Sequence, residues 1–355
     1  SRAPPAGRWA ASACAAAGDD KPWRLSASVV ICAPYHSVPD CELSDAVAKD
    51  SRFDYRVCCV KRAARSSFMP DAMVFPGGAV EAEDVRSAAH LLGSDALEST
   101  VRCAAVREVF EESGVGLFAP LPADIGAEAH ATWRGRVRKD AAQLRDYCAA
   151  QRTTPAAASL QYWCSFITPD MEHARLRKGG FDTRFYVSCV EAGAARHAMS
   201  DAQETVQLMW LTPSEALAAV HAGAITMVPP QWYIFKELND SCPRLSSVSG
   251  HAAGASRALQ RDYPIKPYLV ALSAEEKAGM LARNGREGES ADAVFSLCYP
   301  GDEAHPVYPG PAAARHRMLM IGTFGGRMRF ELQRDATPQL PLREAKQGWY
   351  TLAKL

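Results

Sequence analysis

The sequence predicts an α/β protein with helical insertions and a β-rich C-terminal extension. Short β-rich runs alternate with helical patterns from about residue 25 to residue 240, and β-rich runs dominate the part that follows. The length of 355 residues suits one elaborated domain or two domains. No internal repeat is visible.

The first predicted strands are "LSASVVICAP" and "FDYRVCCVKRA", and a third apolar run, "AMVFPGGAV", contains a Pro-Gly-Gly turn. The segment "DALESTVRCAAVREVFEESGV" has helical spacing. Asp95 is its predicted N-cap, Glu98 follows three residues later as in a capping box, and Gly114 is the predicted end. The stretch 133–152 is polar, basic and helical in pattern.

Further strands are predicted at "SLQYWCSFITP" and "FDTRFYVSCV". In "ETVQLMWLTPSEALAAVHAG" a strand runs into a helix with Thr212 as N-cap and Pro213 in the first turn, and "PPQWYIFKELND" is helical. Beyond residue 240, a polar segment precedes three β-rich runs, the last a predicted hairpin turning at "FGG". We therefore divide the chain into a flexible leader (1–24), an α/β domain (25–240) with insertions near 85–99 and 120–160, a β-rich extension (241–352) and a terminal tripeptide (353–355).

Charge and composition exclude several classes of protein. Forty basic and forty acidic residues cancel, so no whole-molecule attraction to nucleic acid or to an anionic membrane is expected. No run of eighteen apolar residues occurs, so no membrane span is predicted. The eleven cysteines are odd in number and lack zinc spacing, which predicts buried free thiols in a reducing compartment.

Three glutamates, Glu108, Glu111 and Glu112, share one face of the predicted helix because they stand at i, i+3 and i+4. Their charges repel unless a cation lies between them, and carboxylate oxygens bind Mg²⁺ or Mn²⁺ beside substrate phosphates. Arg107 can orient one carboxylate in a bidentate pair. These parts suit metal-dependent hydrolysis of a phosphate ester or anhydride, and a solvated acidic helix face is the alternative.

A glycine turn upstream, at Gly77 and Gly78, favours the hydrolase because it lets the backbone approach a metal or phosphate closely. Together the two pieces resemble the motif of the Nudix hydrolases, G-x5-E-x7-R-E-U-x-E-E-x-G-U, where U is aliphatic. Gly78 matches its first position, and the run from Arg107 to Val115 matches its second half.

The spacer of this motif is enlarged by about 15 residues. Counting from Gly78, the first carboxylate is Asp84, whereas counting back from Arg107 leads to Ser99, beside Glu98. We expect the extra residues, from about Val85 to Ser99, to loop out before the helix. Asp84 and Glu98 remain the two candidates to meet Arg107.

The order of "KRAARSSFMPDAMVFPGG", "FITP", "FDTRF", "WLTPSEA" and "PPQWY" is similar to the acyl-coenzyme A diphosphatase branch of that family, which is found in peroxisomes. The resemblance covers roughly residues 25–238. It implies a Nudix α/β/α sandwich with a mixed sheet and Mg²⁺ or Mn²⁺ as cofactor. It further implies hydrolysis of the diphosphate of coenzyme A and acyl-coenzyme A to 3′,5′-ADP and (acyl-)4′-phosphopantetheine.

The resemblance also implies roles for individual residues. Metal-binding or catalytic roles fall to Glu108, Glu111, Glu112, the backbone carbonyl of Gly78, and Glu204. Glu108 would bind metal or act as the base, and for Glu204 a plain surface glutamate is the alternative. Structural roles fall to Arg107, Gly77, Gly114 and one of Asp84 and Glu98.

Arg62, Arg65 and Arg184 are candidates for substrate phosphates because the guanidinium fork matches phosphate oxygens, although each could be a solvated strand charge. Three aromatic residues are candidates to stack adenine or line an acyl channel, with a place in the core as the alternative: Phe68, Trp163 and Tyr186.

Two other functions remain open. The first is a Nudix hydrolase of another substrate, such as NADH, ADP-ribose or an oxidised nucleotide. The second is a catalytically inactive Nudix fold that serves as a binding module.

The terminal residues Ala353-Lys354-Leu355 are a conservative variant of the Ser-Lys-Leu peroxisomal address. They predict a peroxisomal import receptor as partner, and location in a peroxisome or a related organelle such as a glycosome. Mitochondrion and cytoplasm are the alternatives.

Overall fold

The structure is a computed structural model that describes residues 22–39, 50–66, 69–254, 264–322 and 328–335. The predicted leader up to residue 21, the candidate Phe68 and the tripeptide Ala353–Leu355 lie outside the described residues.

The described strands are β1 (Arg24–Pro34), β2 (Tyr55–Arg62), β3 (Ala72–Val74), β4 (Gly77–Ala79), β5 (Phe118–Ala119), β6 (Thr154–Pro155), β7 (Gln161–Ile167), β8 (Phe181–Cys189), β9 (Thr205–Leu211), β10 (Thr226–Met227), β11 (Tyr268–Val270), β12 (Val294–Cys298), β13 (His316–Gly322) and β14 (Met328–Arg334). The described α-helices are α1 (Ala82–Leu92), α2 (Leu97–Ser113), α3 (Ala127–Lys139), α4 (Gln143–Gln151), α5 (Asp170–Arg175), α6 (Pro213–Ala222), α7 (Pro229–Ser241), α8 (Leu245–Ala253) and α9 (Ala274–Arg283).

A mixed eight-stranded sheet forms the centre of the fold, with the order β10-β3-β2-β1-β8-β7, β4 paired with β1, and β9 paired with β2. Strand β1 runs parallel to β8 and antiparallel to β2 and β4. Strands β5 and β6 form a separate short ribbon.

Alternation along β1 divides the core between the two faces of the sheet, because successive side chains of a strand point to opposite sides. Val29 and Ile31 belong to the core shared with α2, α3 and α4, whereas Val30 and Cys32 belong to the core shared with α6, α7 and α8. The arrangement is therefore the α/β/α sandwich with a mixed sheet that the sequence predicted.

The C-terminal part contains a four-stranded antiparallel sheet in the order β11-β12-β13-β14. It also contains α8 and α9, so the extension is less purely β than expected. Strands β13 and β14 pair as the predicted hairpin, and its turn lies outside the described residues.

Several local predictions are confirmed. Thr212 caps α6 by accepting a hydrogen bond from the Glu215 backbone N–H, and Pro213 lies in the first turn. Gly114 ends α2 in the left-handed region with φ of 70°.

Two local predictions at the start of α2 are wrong. The N-cap is Ala96 without a side-chain hydrogen bond, so Asp95 and Glu98 form no capping box. The extra residues after Asp84 do not loop out, because α1 continues to Leu92 and ends at Gly93 with φ of 66°. Most of the insertion is therefore the body of a helix.

Candidate active site

Helix α2 carries the three motif glutamates into the interior of the protein. Glu111 and Glu112 are each 7% exposed, and the side chain of Glu108 is 14% exposed. All three line one cavity of about 620 Å³. A solvated acidic helix face, the alternative interpretation, does not fit this burial.

Arg107 joins three elements beneath the glutamates. Its Nε and Nη2 donate to the two carboxylate oxygens of Asp84 at 2.8 and 2.9 Å, and Nη2 also donates to the Ala79 carbonyl. Its Nη1 lies 3.0 Å from Oε1 of both Glu108 and Glu111. Arg107 thus fixes α1 and β4 against α2 and holds two of the glutamates in place.

Asp84, not Glu98, meets Arg107. The carboxylate of Asp84 also accepts the Glu81 backbone N–H at 2.8 Å, which closes a capping box at the start of α1. Glu98 lies in the first turn of α2, where it pairs with Arg102 and Arg184 and accepts the Tyr186 hydroxyl.

The glycine turn contacts two of the glutamates directly. The Gly77 backbone N–H donates to Glu112 Oε2 at 2.9 Å. A Cβ on Gly78 would overlap the Glu108 carboxyl group, so only glycine leaves room for that carboxylate beside the backbone. A Cβ on Gly77 would overlap the backbone of β1.

Burial and mutual repulsion shift the ionisation of these carboxyl groups. Burial raises the pKa of Glu108 to about 8, and the neighbouring charges of Glu111 and Asp84 add to the rise. Burial likewise raises the pKa of Glu111, and it raises the pKa of Glu112 well above its usual range. A cation beside the three groups would offset both causes, since it favours the ionised form.

A hard divalent cation fits this donor set. Among the residues that the structure describes, no group of three or more His, Cys, Asp or Glu side chains is arranged to hold a metal ion by itself. Mg²⁺ does not need such a group, because it keeps several waters and binds one or two carboxylates together with substrate phosphates. Glutamates along the wall of an open cavity supply that arrangement.

Glu204 lines the same cavity and precedes β9. Its charge contributes to the raised pKa of Glu112, which places it near that carboxylate. Sequence reasoning missed three further acidic residues of the lining, Glu81, Glu172 and Asp201. The position of Glu81, three residues before Asp84 at the start of a helix, was a usable signal.

The predicted phosphate-binding arginines fall in different places. Arg62 lines the cavity, and its charge opposes the rise of the Glu112 pKa. Arg65 donates to the Gln203 carbonyl outside the cavity lining, and Arg184 is held by Glu98, also outside it. The structure therefore does not support Arg65 and Arg184 as substrate contacts. The lining contains three other cations that the sequence reasoning missed, Arg24, Arg138 and Lys178.

Trp163 and Tyr186 are fully buried. They therefore have the place in the core that was the alternative to a contact with adenine or an acyl chain. The described cysteines are all free, and all except Cys189 are buried. Within the described part of the chain, no helix has the length and apolar character needed to cross a membrane.

Comparison with known proteins places this geometry in a family. The family model described as the NUDT19 Nudix domain matches residues 23–98 and 92–238. The chicken (Gallus gallus) protein named acyl-coenzyme A diphosphatase NUDT19 is 31% identical over 306 residues, which cover 72% of this chain and 74% of that protein. The human (Homo sapiens) protein of the same name is 28% identical over 324 residues, covering 78% and 83% of the two chains.

Among solved structures, a Nudix hydrolase from Alicyclobacillus acidocaldarius superposes with a TM-score of 0.51 at 18% identity, covering 66% of this chain and 98% of that one. This likeness supports the fold. Together with the family match, it identifies the class of protein as the Nudix hydrolases, which generally need divalent metal ions. The chain belongs to the Nudix hydrolases, and within them to the family described as the NUDT19 Nudix domain.

Proposed function

We propose that the protein hydrolyses the diphosphate linkage of coenzyme A and acyl-coenzyme A with Mg²⁺ or Mn²⁺, giving 3′,5′-ADP and (acyl-)4′-phosphopantetheine. One observation carries the proposal: a single cavity is lined by the buried glutamates, by cationic residues and by a group of apolar residues. Coenzyme A esters carry groups that suit these three kinds of lining: a diphosphate, a phosphorylated nucleotide, and a pantetheine arm that bears the acyl chain. The names of the chicken and human relatives support the same substrate class.

Glu111 and Glu112 would hold the metal, with the Gly78 carbonyl beside them. Glu108 would bind metal or take a proton, and Glu204 is the second candidate for either role. When bound there, the metal would neutralise charge at the phosphate oxygens and would lower the pKa of the attacking water.

The chain's own residues prepare the reaction in several ways. Arg107 orients Glu108 and Glu111, and the Gly77 N–H orients Glu112, so the carboxylates need no reorganisation during the reaction. The oxygen of water bonds to one phosphorus, the bridging oxygen leaves with the other phosphate, and a carboxylate accepts the proton from water. Glu108 lines the cavity and is held by Arg107, so it is placed to accept that proton.

The deciding assay supplies purified protein with Mg²⁺ or Mn²⁺ and coenzyme A, octanoyl-coenzyme A, NADH or ADP-ribose, and identifies the products by mass. We expect faster turnover of the two coenzyme A compounds. Faster turnover of NADH or ADP-ribose would establish another Nudix substrate, and no metal-dependent turnover at all would support an inactive binding module.

Peroxisomal location is a second part of the proposal and depends on Ala353-Lys354-Leu355. An N-terminal fluorescent fusion should give punctate import, and removing the tripeptide should make the signal diffuse. Punctate import without the tripeptide would contradict this route.

A further inference from the structure

One part of the cavity lining is an apolar wall drawn from both parts of the chain. Its residues come from the end of β7, from β8, from the start of α7 and from the C-terminal extension: Phe166, Ile167, Phe185, Val228, Pro229, Pro267, Leu297 and Tyr299. We refer to this region as the apolar end. None of these residues belongs to the glutamate motif on α2.

The C-terminal sheet has two different faces, and only one of them reaches the cavity. Leu297, Tyr299 and Met318 belong to the large core shared with the central sheet, whereas Val294 and Leu319 belong to a small core beneath α9. Residues 294 and 297 differ by an odd number of positions on β12, so alternation places them on opposite faces. Leu297 and Leu319 are therefore matched leucines of one sheet, one at the cavity and one away from it.

Several bonds hold this sheet firmly against the Nudix core. Tyr233 on α7 shares a 3.0 Å hydrogen bond with His316 Nε2, and Arg334 donates to Glu237 at 2.8 Å. Ile265 exchanges backbone hydrogen bonds with the end of β7. The apolar end is therefore a fixed wall of the cavity.

Gln231 provides a polar group at this end. It lines the cavity in the first turn of α7, it is 7% exposed, and its side-chain oxygen has no hydrogen-bond partner among the described residues. A buried amide oxygen without a partner costs free energy. The amide N–H groups of a pantetheine arm are donors that would satisfy it.

From this arrangement we infer that the apolar end receives the pantetheine and acyl part of the substrate, and that Leu297 and Tyr299 of the C-terminal sheet set the acyl-chain preference. The inference rests on the proposed function and extends it. It assigns the C-terminal extension a direct part in substrate selection.

The test uses the full chain and compares kcat/KM for coenzyme A with its butanoyl, octanoyl and palmitoyl esters. Leu297→Ala enlarges the apolar end and should shift the preference toward longer chains. Leu297→Phe fills it and should lower the octanoyl-to-free coenzyme A ratio by about tenfold, the scale of one or two methylenes in a pocket. Leu319→Ala, of the same size change on the other face of the sheet, should leave the ratio unchanged.

Binding provides a second readout. In calorimetric titrations, the affinities of Glu112→Gln protein for octanoyl-coenzyme A and for coenzyme A are compared. Adding Leu297→Phe should lower the ratio of these two affinities, as it lowers the ratio of the kcat/KM values. Should the Leu297 variants not fold, Ile167→Val removes one methyl group from the same end and repeats the comparison.

An unchanged chain-length ratio in folded Leu297 and Ile167 variants would overturn the inference and leave the proposed function standing. An equal shift caused by Leu319→Ala would also overturn it, because the effect would then be a general loosening of the sheet. Wild-type protein that hydrolyses no coenzyme A compound would instead reject the proposed function itself, and the inference with it.

Discussion

The two ends of the cavity are assembled from the chain in different ways. At the acidic end, the three motif glutamates and the residues that hold them come from one continuous stretch, Gly77–Gly114, in which a turn and two helices are tied together by Arg107. The apolar end joins β7, the start of α7 and the C-terminal sheet, elements that lie far apart in sequence. A continuous stretch of chain can hold the reacting groups at fixed positions, which the chemistry needs. A wall built from distant elements can vary in shape without changing those groups, which suits substrate selection.

This difference predicts how substitutions behave. Changes at the acidic end should lower turnover of every substrate in parallel, whereas changes at the apolar end should alter the ratio between substrates.

Glu112→Gln should give the largest loss, about 10²–10⁴-fold in kcat for coenzyme A and octanoyl-coenzyme A alike, because it removes a charged group at the reacting phosphates. Thermal unfolding in a chelator should show no loss of stability, since the buried carboxylate favours its neutral form and glutamine can keep the bond from Gly77. Glu275→Gln, on the exposed first turn of α9, is the control. Turnover close to wild type would contradict the assigned role of Glu112.

Arg107→Ala should destabilise the fold by about 3–5 kcal/mol, because it leaves Asp84 buried without its partner. The matched control is Arg86→Ala, whose exposed pair with Glu83 should change stability far less, because solvent screens it. Denaturant unfolding measures both changes.

The hydrogen bonds of Arg107 predict different effects for Asp84 and Glu98, the two carboxylates that the motif spacing could not distinguish. Asp84→Asn should lower stability and activity together, whereas Glu98→Gln should leave kcat nearly unchanged. The reverse order would show that the Asp84–Arg107 pair does not support the site.

Gly78→Ala should reduce kcat by between about tenfold and a hundredfold, the cost of moving a catalytic group by about an ångström. Stability should change little, since the overlapping atoms are the movable end of Glu108. Gly135→Ala, in the middle of α3 with no neighbour near the added methyl, should instead stabilise the protein by up to about 1 kcal/mol. Full activity in Gly78→Ala would mean that Glu108 need not lie beside the turn.

The smallest effect concerns pH. The pKa of Glu108 is raised to about 8 from an ordinary value of 4.5, so between these pH values the folded metal-free protein binds more protons than the unfolded chain. Its stability should therefore fall as pH rises through this window. We expect Mg²⁺ to raise Tm more at pH 8 than at pH 5, measured by calorimetry, and Glu108→Gln to weaken that difference. An equal shift at both pH values would contradict the electrostatic account.

The sequence by itself determined the features that depend on neighbours in the chain. Glu108, Glu111 and Glu112 share a face because of helical spacing, Gly114 ends the helix because it tolerates positive φ, and Thr212 caps α6 through a residue three positions away. These choices are local, so a short stretch of sequence contains their physical cause.

Tertiary structure decided what depends on distance through space. Spacing left Asp84 and Glu98 equivalent, and only the packing of α1 on α2 brings Asp84 to Arg107. Arg184 is of the residue type that binds phosphate, but its position on β8 brings its side chain to Glu98. Leu297 and Tyr299 carry no motif, and they reach the cavity only because their sheet packs on α7. Contacts between such distant residues depend on the packing of whole elements, and residue spacing alone does not contain that information.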